Sequence, residues 1–184
     1  MKKRSKITMI SAALGLVLAI CLLAMVIFDR LAVEPVVHSI RAEIVAAKHR
    51  ECQPSALISS LLQRAYPDRI PALLVARYRR DSARQQENLN HLQRQMLEFG
   101  MASFLSLHLS QQEINCAFLA TSHMGPELVG FENAALHYFA LPLTKLNAEQ
   151  AAKLVAISAA PSTLANHPQR LEKRASLLLA HPAN

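Results

Sequence analysis

The chain contains no tryptophan, only four glycines and few aromatic residues. Few aromatic and glycine-rich segments leave little material for a strand-and-turn architecture. The abundance of Ala and Leu favours helices instead. There is no Gly-rich phosphate loop, no dinucleotide fingerprint and no zinc-type Cys/His spacing, so nucleotide- and zinc-dependent chemistry have no motif to rest on. No cofactor is expected. Acidic residues are outnumbered, 13 against 20 basic ones, for a net charge of +7. Lys2, Lys3, Arg4 and Lys6 supply part of that excess at the extreme N-terminus, and the remainder of the chain is only mildly basic. A nucleic-acid partner is therefore not expected. The eight histidines are scattered and read as solvent-facing or packed side chains.

What the chain does have is one long apolar run. Ile7 to Phe28 carries no charge and is long enough to cross a bilayer as a helix. Asp29 and Arg30 end the run. The basic head at residues 1–6 should stay in the cytoplasm and put the rest of the chain outside. A cleaved signal peptide is the competing reading. The run exceeds a usual signal core, and no clear small-x-small site follows it. The expected layout is thus a cytoplasmic head at 1–6, an uncleaved single-pass anchor at 7–28, and a domain from 34 to 184 on the far side of the membrane.

The rest of the chain reads as helices with explicit boundaries. Pro35 suits a first helical turn, and Val37, Ile40, Ile44 and Ala47 recur at helical spacing. Ser55 to Leu62 continues a helical pattern until Tyr66-Pro67-Asp68 breaks it. Asn88 to Leu109 predicts a long helix with Leu89, Leu92, Met96 and Phe99 on one apolar face. Ser110-Gln111-Gln112-Glu113 is a capping box, and a helix should follow through Phe118 and Leu119. Gly125 and Gly130 permit a tight loop. A helix then runs through Tyr138-Phe139, and another starts behind Asn147 with Gln150 three residues on. That last helix is rich in alanine, so neighbours can pack close to it. Pro161 stops it. Of the three cysteines, Cys21 lies in the anchor. Cys52 and Cys116 suit either a disulfide or two packed thiols, and spacing alone leaves both open.

Three segments in the second half carry a resemblance. They are Ile114-Asn115-Cys116-Ala117-Phe118-Leu119-Ala120, Gly130-Phe131-Glu132-Asn133-Ala134-Ala135-Leu136-His137-Tyr138-Phe139, and Leu146 through Ala156. Their order and spacing resemble the peptidoglycan glycosyltransferase domain of class A penicillin-binding proteins and monofunctional transglycosylases. Lys173-Arg174-Ala175-Ser176-Leu177-Leu178 resembles that family's fifth motif, Arg-Arg-x-x-Val-Leu. Arg94-Gln95-Met96-Leu97-Glu98 resembles its third, Arg-Lys-x-x-Glu, with Gln95 in place of Lys. The resemblance implies an all-α, lysozyme-like domain on one anchor, smaller in its membrane-facing lobe than the family norm.

The same comparison marks departures. The family's first motif carries the catalytic Glu, and the best placement at Ile44 to Cys52 puts Lys48 there, with His49 where an Asp belongs. A protonated Lys cannot accept the sugar hydroxyl proton. Glu51 would project about one turn further along a helix. The Gly-Gly-Ser-Thr segment that meets the donor diphosphate has no counterpart; Arg69 to Arg80 stands there instead. Ala120 replaces the usual Asn, and Phe118 replaces Tyr.

Arg77, Arg79, Arg80 and Arg84 form a basic cluster suited to phosphate. It also suits a solvated helix face partnered by Asp81 and Glu87. Arg94 and Glu98, four apart, are placed to pair with each other. The candidate site is therefore Glu98 as a retained acid, Lys48 at the position of the missing base, and Arg94, Arg77, Arg79 and Arg80 as substrate contacts. The resemblance implies cell-wall biosynthesis. The leading expectation is a degenerate transglycosylase that binds lipid-linked precursor, glycan strands or a cell-wall synthesis protein. An active divergent polymerase and a scaffold that serves only protein interactions are the alternatives.

Overall fold

The computed structural model describes residues 2–47, 52, 54–82 and 90–180. Among them the chain is all-α apart from one short hairpin. Helix α1 (Lys2–Phe28) does not stop where its apolar run ends. It continues through a wide π turn (Asp29–Val33) into α2 (Glu34–Ala46). Pro35 lies in the first turn of α2 and has no N–H to give to the preceding turn, which accounts for the local widening. Ala13–Ala46 is one helix long and apolar enough to cross a membrane.

Short helices follow, with boundaries set by local chemistry. Ser55 caps α3 (Ala56–Ala65) by accepting the Ile58 N–H. Asp68, at φ 54°, turns the chain into α4 (Ile70–Ser82). Asn90 and Gln93 form a full capping box at the head of α5 (His91–His108). Ser110 and Glu113 do the same for α6 (Gln111–Thr121), and Asn147 with Gln150 for α8 (Ala148–Ala159). The latter two boxes are those the sequence announces. Between α6 and α8 lie strands β1 (His123–Gly125) and β2 (Leu128–Val129), helix α7 (Phe131–Phe139) and a 3-10 turn at Leu143–Lys145. The strands pair antiparallel, where the sequence promised only a tight loop. Gly130 stands between β2 and α7 at φ 87°, a conformation that costs a side-chain-bearing residue. Two further helices, α9 (Pro161–Leu164) and α10 (Pro168–Ala180), close the described chain.

The core sits around α6 and α8. Ile114, Ala117, Phe118 and Leu119 of α6 are buried, as are Ala151, Ala152, Leu154, Val155 and Ala156 of α8. The alanines let α3, α7 and α10 come close to α8. Lys153 of α8 binds Glu172 of α10 at 2.6 Å, and Arg64 of α3 donates to the Leu178 carbonyl of α10 at 2.9 Å. The Arg-Arg-like segment at 173–178 thus serves packing, with Ala175 buried. Buried Glu132 accepts the Leu143 N–H at 2.9 Å, pinning α7 to the turn that follows. Cys52 and Cys116 form a disulfide, which settles their pairing; Cys21 is an exposed free thiol.

One sequence expectation reverses. The apolar face at Leu92, Met96 and Phe99 does not enter the core, because all three are exposed. Helix α5 buries Met101, Ala102 and Leu105 on its other side. The helix has two apolar faces, and tertiary packing chose the one nearer its C-terminus. Leu89 lies outside the described residues.

Candidate functional site

A cleft of about 580 Å³ opens between α4, the C-terminal ends of α6 and α8, and the hairpin. Its apolar wall comes from Leu73, Leu74, Phe118, Val129 and Pro161. Its polar groups are Arg77, Arg80, Tyr66, Thr121, Ser122, His123 and Ser158. Helix geometry puts Arg77 and Arg80, three apart, on one face of α4. The Arg77 guanidinium donates to the Thr121 carbonyl at the end of α6. That contact caps an otherwise open helix end and holds Arg77 in place. Arg80 is exposed and has freedom to meet a ligand.

Tyr66 closes the deep end. Its hydroxyl lies 2.8 Å from Ser158 Oγ, and its ring packs edge-on against Phe118 with centroids 5.2 Å apart. Burial pushes the Tyr66 pKa up, with the Ser158 hydrogen bond and the positive charge of Arg174 opposing. Tyr66 is therefore a neutral phenol at ordinary pH, a hydrogen-bond group rather than a base. Among the described residues no carboxylate lines this cleft. The arrangement can hold an anion against an apolar wall. Its described lining offers no carboxylate to remove a hydroxyl proton.

The four arginines expected to act together are divided. Arg77 and Arg80 face the cleft, whereas Arg79 turns to α5 and approaches Glu98 at 3.5 Å. The expected Arg94–Glu98 pair gives way to this contact between helices. Arg94 contributes its backbone carbonyl, which accepts from Arg79 at 3.3 Å, and its side chain is exposed. Arg79 is reached by no helical rule from Glu98; packing of α4 on α5 brings them together. Lys48, His49, Glu51, Arg84 and Glu87 lie outside the described residues, and so does the side chain of Asp81.

A second cavity, about 300 Å³, lies on the other side of the α6 terminus. Glu43, Ala46 and Ala47 line it from α2, Ala120 and Thr121 from α6, and Glu132 and Asn133 from α7. Thr121 borders both cavities. One oxygen of Glu43 is buried there without a hydrogen-bond partner. Glu43 belongs to no sequence motif, and no local signal marks it out on α2. Ala47 ends α2 in an extended conformation at the edge of this cavity. Cys52, a few residues on, is bonded to α6 through Cys116. No group of three or more metal-binding side chains occurs among the described residues.

A nearly all-α domain of this kind fits a lysozyme-like helical fold. The Transglycosylase family model matches residues 75–182, more than half of the chain, and the chain belongs to that family. The match starts within α4, ahead of Arg94, and takes in Arg77, Arg80 and Glu98. Residues 44–52, where the first motif was placed, fall before it. No curated protein matches the chain.

Proposed function

We propose that this protein is a membrane-anchored, catalytically degenerate transglycosylase of cell-wall synthesis. It holds the diphosphate of a lipid-linked peptidoglycan precursor through Arg77 and Arg80 and does not polymerise it. The observation that carries this reading is the composition of the main cleft: two arginines, an apolar wall and no carboxylate among its described lining. The retained acid Glu98 is engaged by Arg79 instead of facing that cleft. A fold alone does not license activity. Glycosyl transfer needs a group that takes the acceptor proton as the new bond forms.

The anchor and the compartment follow from two supports. The N-terminal helix is long and apolar enough to span a bilayer, and the basic residues precede it. The Cys52–Cys116 disulfide suits an oxidising space such as the periplasm. The domain then runs from residue 34 to 184 outside the inner membrane, close to the lipid carrier of the precursor.

The purified full-length protein should be tested for binding and for elongation of lipid-linked disaccharide-peptide. Binding without glycan strands is the expected result. Polymerisation by the unaltered protein would overturn the degenerate reading. One observation favours the active alternative, the buried unpaired oxygen of Glu43 beside the second cavity. On that alternative Glu43→Gln, rather than Glu98→Gln, abolishes elongation.

A further inference from the structure

The hydrogen-bond directions around the main cleft sort its polar lining into donors and acceptors. Ser158 gives its one hydroxyl proton to the Val155 carbonyl at 2.7 Å. In the 2.8 Å contact with Tyr66, Ser158 Oγ therefore accepts and the phenol donates. Burial raises the Tyr66 pKa, so that proton stays on the phenol at neutral pH. Thr121 gives its proton to the Ala117 carbonyl at 2.6 Å, and Ser122 gives its own to the Phe118 carbonyl. Every hydroxyl in the described lining thus spends its proton on the protein. Toward a ligand these groups present lone pairs.

Back-bonding of Ser and Thr to their own helix is common and by itself says little. Tyr66 is different, because its proton crosses from the end of α3 to α8. A phenol oxygen that donates keeps a lone pair with which to accept. Among the described residues no second hydrogen bond reaches that oxygen. The donors of the cleft are the guanidiniums of Arg77 and Arg80, and exposed His123 serves as either, by tautomer. Arg77 uses part of its fork on the Thr121 carbonyl, and Arg80 is exposed.

A ligand that satisfies this lining carries an anion for the arginines and O–H or N–H donors for the phenol. A diphosphate alone supplies acceptors and nothing for Tyr66. A sugar joined to it supplies hydroxyl and amide donors, and its C–H faces suit the apolar wall. The cleft volume of about 580 Å³ lies in the range of small-ligand sites.

We infer that Tyr66 is the specificity residue of this cleft: its oxygen accepts a hydrogen bond from the sugar borne on the diphosphate. The protein thereby tells a lipid carrier loaded with sugar from one that has discharged it. The inference rests on the arginine-held diphosphate proposed above and names what that site reads.

Full-length protein in detergent micelles would be titrated with a polyprenyl diphosphate, either bare or carrying an N-acetylated disaccharide. The unaltered protein should bind the loaded lipid about tenfold more tightly. Tyr66→Phe should remove that preference and leave affinity for the bare lipid unchanged. Arg80→Ala should weaken both lipids by the same factor. Ser158→Ala is an independent readout. Without its acceptor the Tyr66 proton turns to the ligand, so the bare lipid should bind more tightly and the preference should narrow. Equal affinity of the unaltered protein for the two lipids overturns the inference and leaves the arginine reading standing. Tyr66→Phe that weakens both lipids alike overturns it too, as the mark of a merely structural phenol. Should Tyr66→Phe fail to fold, Ser158→Ala decides, and an undiminished preference there overturns the inference. Binding of neither lipid by the unaltered protein refutes the arginine reading itself, and this inference with it.

Discussion

Arg79 of α4 approaches Glu98 of α5 at 3.5 Å, with side chains only 12% and 27% exposed. The acid that the third motif preserves is thus half of a contact between helices. A half-buried pair is worth more than a surface one and less than a fully buried one. Arg79→Ala or Glu98→Gln should each lower stability by about 1–2 kcal/mol, with a coupling of about 1 kcal/mol in a double-mutant cycle. Denaturant melts measure this. Binding of lipid-linked precursor by Glu98→Gln should be unchanged, since Glu98 does not line the cleft.

The two cleft arginines should behave differently from Arg94. Arg80→Ala removes an exposed phosphate contact and should weaken precursor binding about tenfold with an unchanged melting temperature. Arg77→Ala should weaken it similarly and also cost about 1 kcal/mol or more of stability, because the Thr121 carbonyl loses its donor. Arg94→Ala should do neither. Binding titrations beside thermal melts distinguish the three.

The disulfide closes a loop across a sequence separation of 64. In the chain-entropy account such a crosslink is worth about 4 kcal/mol. Cys116→Ser, or reduction of the native protein, should lower stability by an amount of that order. Comparing denaturation of oxidised and reduced protein checks it. The loss should fall first on the connection between α2 and α3, which Cys52 ties to α6.

Glu113 supplies a pH dependence with a definite sign. Hydrogen bonds from the Ser110 backbone and hydroxyl hold its carboxyl below the ordinary range, helped by the positive charge of Arg41. A carboxyl depressed in the folded state binds its proton more tightly when unfolded. Its stabilisation is present above the unfolded pKa of about 4.3 and disappears as pH falls through the lower folded value. Acid unfolding of Glu113→Gln should therefore be shallower over that window. Ser110→Ala should cost about 1 kcal/mol at neutral pH.

Local chemistry was the legible part. The boxes at Ser110–Glu113 and Asn147–Gln150 need only four residues each, and both stand as read. The box at Asn90–Gln93 carries the same signal, but the apolar residue Leu89 drew the expected helix start back to Asn88. Periodicity found the apolar face of α5 but could not say which of two faces the core would take. The i,i+4 rule paired Glu98 with Arg94, and a neighbour from another helix displaced it. The hairpin at 123–129 has strands too short to leave a pattern. At the site, Arg77 and Arg80 were visible as a basic cluster. Tyr66, Ser158 and Glu43 were not, since their roles arise only when distant helices meet.

The anchor passes into α2 through a π turn with no loop between them. A tethered domain on a flexible stalk samples a hemisphere and can follow a distant strand. On the proposed anchoring, the continuous rod would fix the height and heading of the cleft above the lipid surface. On the proposed anchoring, the protein has no reach: it meets only what diffuses to it within the membrane plane, which is where a lipid-borne precursor travels and where a mature glycan mesh does not.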